Sequence, residues 1–420
     1  MNRFAVRFWL GICCLNLVLL SCQETEPPAE PISPFPWNLP QEKPDRPMSK
    51  AMERLYDEYR VPQPEENELY SNFAYTKLSG FDYNGGDGTI SRRDPSKVLF
   101  ENGKYYVWYT KRESTIPPQG PEKCNDTIPS SDWDLADLWY ATSVDGFHWE
   151  EEGIAVARPA PPAPGWRAVT TPDVLKFKGK FYLYFQSFLE ASGKKGDHCP
   201  VSVAYADAPD GPWTLTHEIV IPNGPPGSWD QYAIHDPYPL VYNGKIYLYY
   251  KSVFGERPDF MLAQGLAIAD DPLGPFEKHP LNPVLNSGHE TALFPFEEGI
   301  AALVIRNGHE SNTIQYSPDG VHFSIASVST LLPIAAGPFV PDAFTSNGNG
   351  RGITWGLSHF FNAAGTWKKN HSQMARFDCE LSLDVDDPFF KSTQLILPPD
   401  VYYTKGMSPA LREKRAGVPE

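Results

Sequence analysis

The 420-residue sequence has no apolar run long enough for a membrane-spanning helix, which takes about 20 residues. Its longest such stretch, Phe8 to Leu20, is mostly apolar and too short. There is no Lys/Arg run longer than three, and 52 acidic residues against 36 basic ones leave a formal charge of -16. This argues against a nucleic-acid binder, whose phosphate contacts need a basic field. Long Ala/Leu/Glu periodicity is missing too, which argues against a helical bundle. Cysteine is scarce: there are six, and Cys13 and Cys14 fall inside the apolar start. The others, Cys22, Cys124, Cys199 and Cys379, form no Cys-x-x-Cys pair. A disulfide framework and a cysteine metal site are both unexpected, although a single bridge stays open. What the chain has in quantity is Pro 43, Gly 32 and 13% aromatics. That composition excludes disorder and points to an all-β chain with many turns.

Met1 to Leu20 read as a targeting segment. Arg3 and Arg7 make a basic start, and the apolar run stops at Leu19-Leu20-Ser21-Cys22. This ending resembles a bacterial lipobox, with an ordinary signal peptide as the alternative. The expectation is a signal over 1–21 and a lipid anchor at Cys22. The anchor would hold the exported chain to the bacterial cell envelope, at the periplasmic or outer-membrane face. Residues 22–47, rich in Pro, are expected to form an extended tether. A short N-terminal helical extension follows within 48–85. Ser49 can cap it, Met52, Leu55, Tyr56 and Tyr59 form one stripe, and Pro62 and Pro64 stop it. A helix of this length does not stand alone, so it must pack on the main domain or on a second copy.

From Arg93 onward the chain repeats itself. Asp94-Pro-Ser-Lys-Val-Leu-Phe leads through Asn102-Gly103 into Lys-Tyr-Tyr-Val-Trp-Tyr. Pro172-Asp-Val-Leu-Lys-Phe leads through Lys178-Gly179 into Lys-Phe-Tyr-Leu-Tyr-Phe, and Asp236-Pro-Tyr-Pro-Leu-Val-Tyr through Asn243-Gly244 into Lys-Ile-Tyr-Leu-Tyr-Tyr. Each is a pair of strands around a hairpin turn, followed by a third strand and a closing turn. A weaker copy starts at His289-Glu290 and turns at Glu298-Gly299; the weakest starts at Pro341-Asp342. The repeats open at Asp94, Asp173, Asp236, Glu290 and Asp342, with spacings of 79, 63, 54 and 52. Each unit is long enough for a four-stranded blade, so the expected fold is a five-bladed β-propeller over 86–386, with a C-terminal extension over 387–420.

An acid opens the first strand of every copy, where the strand approaches the propeller axis. A single Asp at such a place is an ordinary turn residue. Several aimed at one axis crowd like charges, and a function is the better explanation. Such a ring suits glycosidic bond hydrolysis: one carboxylate activates water, an acid on the other side protonates the departing oxygen, and a third group tunes the acid. His289 and Glu290 are adjacent, and both reach the axis only if the chain bends, which Gly288 permits. Trp133, in the long loop of the first repeat just before the strand of Trp139, is a candidate sugar platform, whereas Trp139 alternates within that strand and reads as core. Asp173, Gln186, His198 and His235 are further candidates for substrate contact. The second Gly-His-Glu, Gly308-His309-Glu310, falls after a strand and reads as rim.

Arg92-Arg93-Asp94-Pro95-Ser96-Lys97-Val98 with Lys104-Tyr-Tyr-Val-Trp-Tyr109-Thr-Lys-Arg112 resembles glycoside hydrolase family 117, and Ser49-x-Ala51-x-x-Arg54 is similar to that family's N-terminal signature. The resemblance spans about Ser49 to Asp386. It implies a five-bladed propeller related to family 43, and exo-acting α-1,3-(3,6-anhydro)-L-galactosidase activity on neoagarobiose and related agar oligosaccharides. It also implies a homodimer formed through the N-terminal helix. By position, Asp94 resembles the general base and Asp236 the carboxylate that positions substrate and modulates the acid. His289 resembles the proton donor, with Glu290 its partner or the donor itself. No cofactor is expected to be required; related propellers imply a divalent cation or water cluster in the channel. Alternatives are an anhydro-D-galactosidase acting on carrageenan oligosaccharides, an arabinosidase or galactosidase, a glycan-binding lipoprotein without catalysis, and a structural or interaction propeller.

Overall fold

The structure, a computed structural model, describes residues 31–57, 71–194, 199–255, 261–339, 350–362, 371–379 and 381. Among them the strands form five antiparallel sheets, the blades of a propeller. Blade one runs from the axis outward as Ile90–Arg93, Lys104–Glu113, Asp137–Ser143 and Glu150–Val156, with Leu99–Glu101 continuing its inner strand. Blade two is Ala168–Phe177, Lys180–Phe188, Val201–Ala206 and Thr214–Ile221. Blade three is His235–Tyr242, Lys245–Phe254, Met261–Ala269 and Glu277–Lys278. Blade four is Ala292–Glu297, Gly299–Val304, Thr313–Ser317 and Ser324–Val328, with Gly350–Arg351 against its inner edge. Blade five is Gly337–Pro338, Trp355–Asn362, His371–Asp378 and Ala74–Lys77.

The hairpins form where turn chemistry demands them. Asn102 and Gly103, Lys178 and Gly179, and Asn243 and Gly244 all have positive φ, as a type I′ turn requires. In blade four the two-residue turn is Glu297-Glu298, and Gly299 already pairs with Phe296, so the turn falls one residue earlier than expected. The second strands are buried almost throughout: Tyr105 to Arg112 are all inside. Both faces of a blade pack on neighbouring blades, so these strands read as continuous runs rather than as alternating ones.

Three expectations change. The last blade is completed by the N-terminal strand, with Ala74 opposite Asp378 and Lys77 opposite Ala375. The propeller therefore begins before residue 86, and this pairing covers an edge that would otherwise be open. The inner strand of that blade is Gly337–Pro338, ahead of the expected start at Asp342, which lies outside the described residues. The later half of the expected tether is docked on blade three. Phe35 is buried against Phe254, the Trp229 amide donates to the Phe35 carbonyl, and the Gly255 amide donates to the Trp37 carbonyl.

Of the helix expected over 49–60, residues 58–60 lie outside the described residues, and those described show a single turn, Lys50–Arg54, capped by the Ser49 side chain. It packs on its own propeller, with Ala51 and Met52 fully buried. Cys22 and its flanking segment, His198 and the extension over 387–420 lie outside the described residues.

Candidate active site

At the axis blades one to three insert extra residues into their inner strands. In blade one, residues 94–98 stand opposite 107–109; in blade two, 171–172 oppose 185; in blade three, 236–237 oppose 250. The residue that opens each bulge is left-handed: Asp94 (φ 51), Thr171 (φ 48) and Asp236 (φ 49). Glu290 (φ 60) and Ala335 (φ 46) hold the same place in blades four and five. Such φ values cost about 1–3 kcal/mol each in non-glycine residues and concentrate at functional sites. They are what lets adjacent residues face the same way, so Arg93-Asp94, His235-Asp236 and His289-Glu290 each send both side chains into one cavity. Gly288 (φ 106) makes the expected bend before His289; a Cβ there would lie 1.9 Å from Thr291 Oγ1.

The bulges correct the five-acid ring. The axial positions are three acids, a threonine and an alanine. Asp173 stands two residues beyond Thr171, deeper in the strand. It is buried, accepts the amides of Lys97 and Val174 at 2.9 Å, and pairs with the Lys97 ammonium. Burial works against charge on both partners of that pair, and each partner offsets the penalty on the other. Asp173 lines a small axial cavity of about 30 Å³, which Asp94, Asp236 and Glu290 also border, and it is not among the residues lining the large cavity.

The large cavity, about 670 Å³, is lined by Asp94, Asp236, His289, Glu290, His235, Gln186 and Trp133. These are the expected site residues other than Asp173 and His198. Asp94 is held through one oxygen. Its Oδ2 accepts from Arg93 Nε at 2.9 Å, Thr110 Oγ1 at 3.1 Å and Thr171 Oγ1 at 3.3 Å. Its Oδ1, though buried, has no hydrogen-bond partner, and His359 Nδ1 stands 3.6 Å away. Asp236 accepts Lys251 Nζ at 2.7 Å and the Glu290 amide at 3.1 Å. Glu290 is clamped on both oxygens, by Arg93 Nη2 at 2.7 Å and Arg306 Nη2 at 3.1 Å.

These contacts set the protonation states. Burial pushes the Glu290 carboxyl up, but His289, His359, Arg93 and Arg306 outweigh it and hold Glu290 well below the usual range. Burial likewise opposes the Asp236 charge, and Lys251 leads the groups that keep it ionised. Burial and then Lys251 push the His289 imidazole down to about 4, against the pull of Glu290 and Asp236. Its Nδ1 lies 3.1 Å from Asn307 Oδ1. His235, which lines the cavity, is driven to about 3 by burial and Lys251, and its buried Nε2 has no hydrogen-bond partner. Trp133 lies under the Arg93 guanidinium, 4.8 Å from its ring centre. Trp139 packs into the blade-one core with the Lys111 ammonium over its ring, as its alternation implied.

Several site residues were not among the sequence candidates: Arg93, Lys251, His359, Arg306, Asn307 and Thr171. Arg93 had a signal, since it precedes Asp94 as a histidine precedes Asp236 and Glu290. Arg306 and Asn307 come from a turn, and His359 from a second strand of the weakest copy, where neither spacing nor composition marks them. Glu310 also differs from expectation. It is buried and bound to Arg54, while His309 of the same Gly-His-Glu is exposed.

The channel cation implied by related propellers has a candidate donor set in Asp94, Glu290 and His359, whose ligand atoms lie within 4.8 Å of one another. The chemistry of these donors does not fit a metal. Both Glu290 oxygens serve arginines, and the Arg93 guanidinium already neutralises Asp94 and Glu290 together. His359 Nδ1 accepts the Asp94 amide at 3.1 Å, which leaves the ring proton on Nε2, the nitrogen facing Glu290. Only Asp94 Oδ1 remains, and one oxygen does not make a site.

A propeller carrying opposed acids, a buried arginine bridge and a cavity of sugar size defines a glycoside hydrolase. The model of glycosyl hydrolases family 43 matches residues 89–262. Zg3597, a family 117 glycoside hydrolase from the marine bacterium Zobellia galactanivorans, is 61% identical over 80% of this chain and 98% of its own, with a TM-score of 0.73. The chain belongs to glycoside hydrolase family 117. A structure described as a glycoside hydrolase (11% identity, 84% of this chain and 99% of its own, TM-score 0.51) shares the fold. So does the structure of a BT0996 RGII complex (11%, 82% and 97%, TM-score 0.51). No curated protein matches the sequence.

Proposed function

We propose that this glycosidase is inverting and exo-acting, releasing 3,6-anhydro-L-galactose from the non-reducing end of neoagarobiose and longer neoagaro-oligosaccharides by cleaving the α-1,3 bond. The observation that carries the reading is the asymmetry of Asp94: three donors hold Oδ2, and the buried Oδ1 has no hydrogen-bond partner. A carboxylate held in this way keeps one oxygen available to take a proton from water. Glu290, bound on both oxygens, lacks that freedom; Asp236 is held at Oδ2 by Lys251 and the Glu290 amide, and the family likeness gives it the positioning role.

In the reaction, Asp94 Oδ1 orients a water against the anomeric carbon and takes its proton as the new C–O bond forms. The glycosidic C–O bond breaks, and the departing oxygen takes a proton from the His289 imidazolium. Glu290, ionised by its two arginines, has no proton to give, which assigns donation to His289 rather than to its neighbour. Asn307 holds the His289 ring, and Lys251 and Asp236 set the charge around it. His235, with its unpartnered Nε2, and Gln186 are placed to hydrogen-bond sugar hydroxyls, and Trp133 offers an apolar face. The substrate class follows from the family likeness. On the lipobox reading of residues 19–22 the enzyme is lipid-anchored at the cell envelope. A homodimer formed through the N-terminal segment that carries the Ser49–Arg54 turn completes the proposal, and light scattering on the mature protein measures it.

Product analysis on neoagarobiose, neoagarotetraose, neocarrabiose and arabino-oligosaccharides, with Asp94→Asn alongside, tests the reading. Release of 3,6-anhydro-L-galactose by the wild type, with a loss of about 10²–10⁴-fold in the variant, is expected. Cleavage of neocarrabiose or an arabinoside instead would overturn the substrate; binding without cleavage would overturn catalysis.

A further inference from the structure

The loop that carries His289 and Glu290 is held from behind by the N-terminal segment. Ser49 Oγ donates to the Pro283 carbonyl at 2.5 Å, and Asn286 Nδ2 donates to the Ala51 carbonyl at 2.8 Å. Asn286 and Ser287 are buried in this contact, three and two residues before His289. Arg54 grips the neighbouring turn: Nε and Nη2 bind the two Glu310 oxygens at 2.6 and 3.0 Å, and Nη1 donates to the Phe323 carbonyl at 2.6 Å. The Glu310 amide in turn donates to Ser287 Oγ at 2.8 Å, which ties the two turns together. They approach so closely that a Cβ on Gly308 would lie 2.1 Å from that oxygen.

These two turns hold four site residues. The Arg306 carbonyl accepts the amides of Gly288 and His289 at 3.0 and 3.1 Å, Arg306 clamps Glu290, and Asn307 meets the His289 ring. We propose that the Ser49–Arg54 turn is a positioning element of the active site: docked on Asn286 and Glu310, it sets the geometry of His289, Glu290, Arg306 and Asn307. The inference rests on His289 being the proton donor. Arg54 and Asn286 do not line the cavity, so they act through the loop they hold. A one-ångström displacement of a reacting group is enough to cost about 100-fold in rate.

Arg54→Ala, Arg54→Lys and Asn286→Ala in the otherwise intact protein test this. Thermal stability, kcat and KM on neoagarobiose, and NMR titration of the His289 imidazole (assigned with His289→Asn) are measured for each. Arg54→Ala and Asn286→Ala are expected to lower kcat on the order of 10–100-fold with KM little changed. Arg54→Lys should recover part of the loss. The His289 pKa should rise from about 4 as the loop loosens and the burial, Lys251, Glu290, Asp236, Arg306 and His235 around it are rearranged. Variants that melt earlier but keep wild-type kcat and His289 titration would overturn the proposal. Asn286→Ala, which removes one hydrogen bond, keeps the test decisive if Arg54→Ala fails to fold. Should the wild type cleave no sugar, the glycosidase reading falls, and the His289 titration still decides the positioning.

Discussion

Thr171 occupies in blade two the place Asp94 holds in blade one, and it turns its hydroxyl onto Asp94, Oγ1 to Oδ2 at 3.3 Å. Its φ of 48 is a true outlier for a β-branched residue. Its amide is tied to Thr110 Oγ1 at 2.7 Å, and Thr110 itself donates to Asp94 Oδ2, so the strain is held in place by the site it serves.

Thr171→Val keeps the shape and removes the hydroxyl, and kcat should fall about tenfold, the value of one hydrogen bond to a charged group. Thr171→Ser should stay near wild type. Thr171→Gly should lose the same activity while gaining about 1 kcal/mol of stability as the strain is released. Urea denaturation beside steady-state kinetics separates these effects. A glycine variant both less stable and fully active would contradict the account.

The His289 assignment makes a signed pH prediction. The donor must be charged, and its imidazole lies at about 4 in the free enzyme. The charged fraction is full below that value and falls tenfold per pH unit above it, so kcat/KM should decline across the neutral range. His289→Asn should abolish that limb and reduce kcat by about 10²–10⁴-fold. A neutral or alkaline optimum retained by wild type would count against His289.

Because Arg93 already bridges Asp94 and Glu290, a bound metal has no role at this set of donors. Dialysis against EDTA should leave kcat/KM and the melting temperature unchanged. Loss of activity that calcium or zinc restores would show that the donor assignment is wrong.

Asp173 should behave as a structural residue. Asp173→Ala leaves the Lys97 ammonium buried without its partner and is expected to cost about 3–5 kcal/mol in stability. Folded enzyme should keep the wild-type KM, since this side chain does not face the large cavity. A raised KM with unchanged stability would return Asp173 to the substrate site.

Much of the fold was legible because turn chemistry is local. Asn102-Gly103 and Asn243-Gly244 specify tight hairpins through their own φ preferences, and a third strand after each marked a blade. The acids at Asp94, Asp236 and Glu290, and the bend at Gly288, could be read in the same way. Register could not. Asp173 looked equivalent to Asp94 by motif, yet the number of residues a strand bulges at the axis depends on the blades packed beside it, and that count put Thr171 in the place instead.

The sequence by itself determined the hairpins, the repeat, and a set of acids preceded by Arg or His, since these need only neighbouring residues. Only the tertiary structure decided which groups share a proton or a charge. Arg93 joins Asp94 to a glutamate 197 residues from itself, His359 comes in from the last blade, and Ala74–Lys77 closes the ring. Each of these joins chain segments far apart in sequence, and no local propensity records a contact made only when five blades close around one axis.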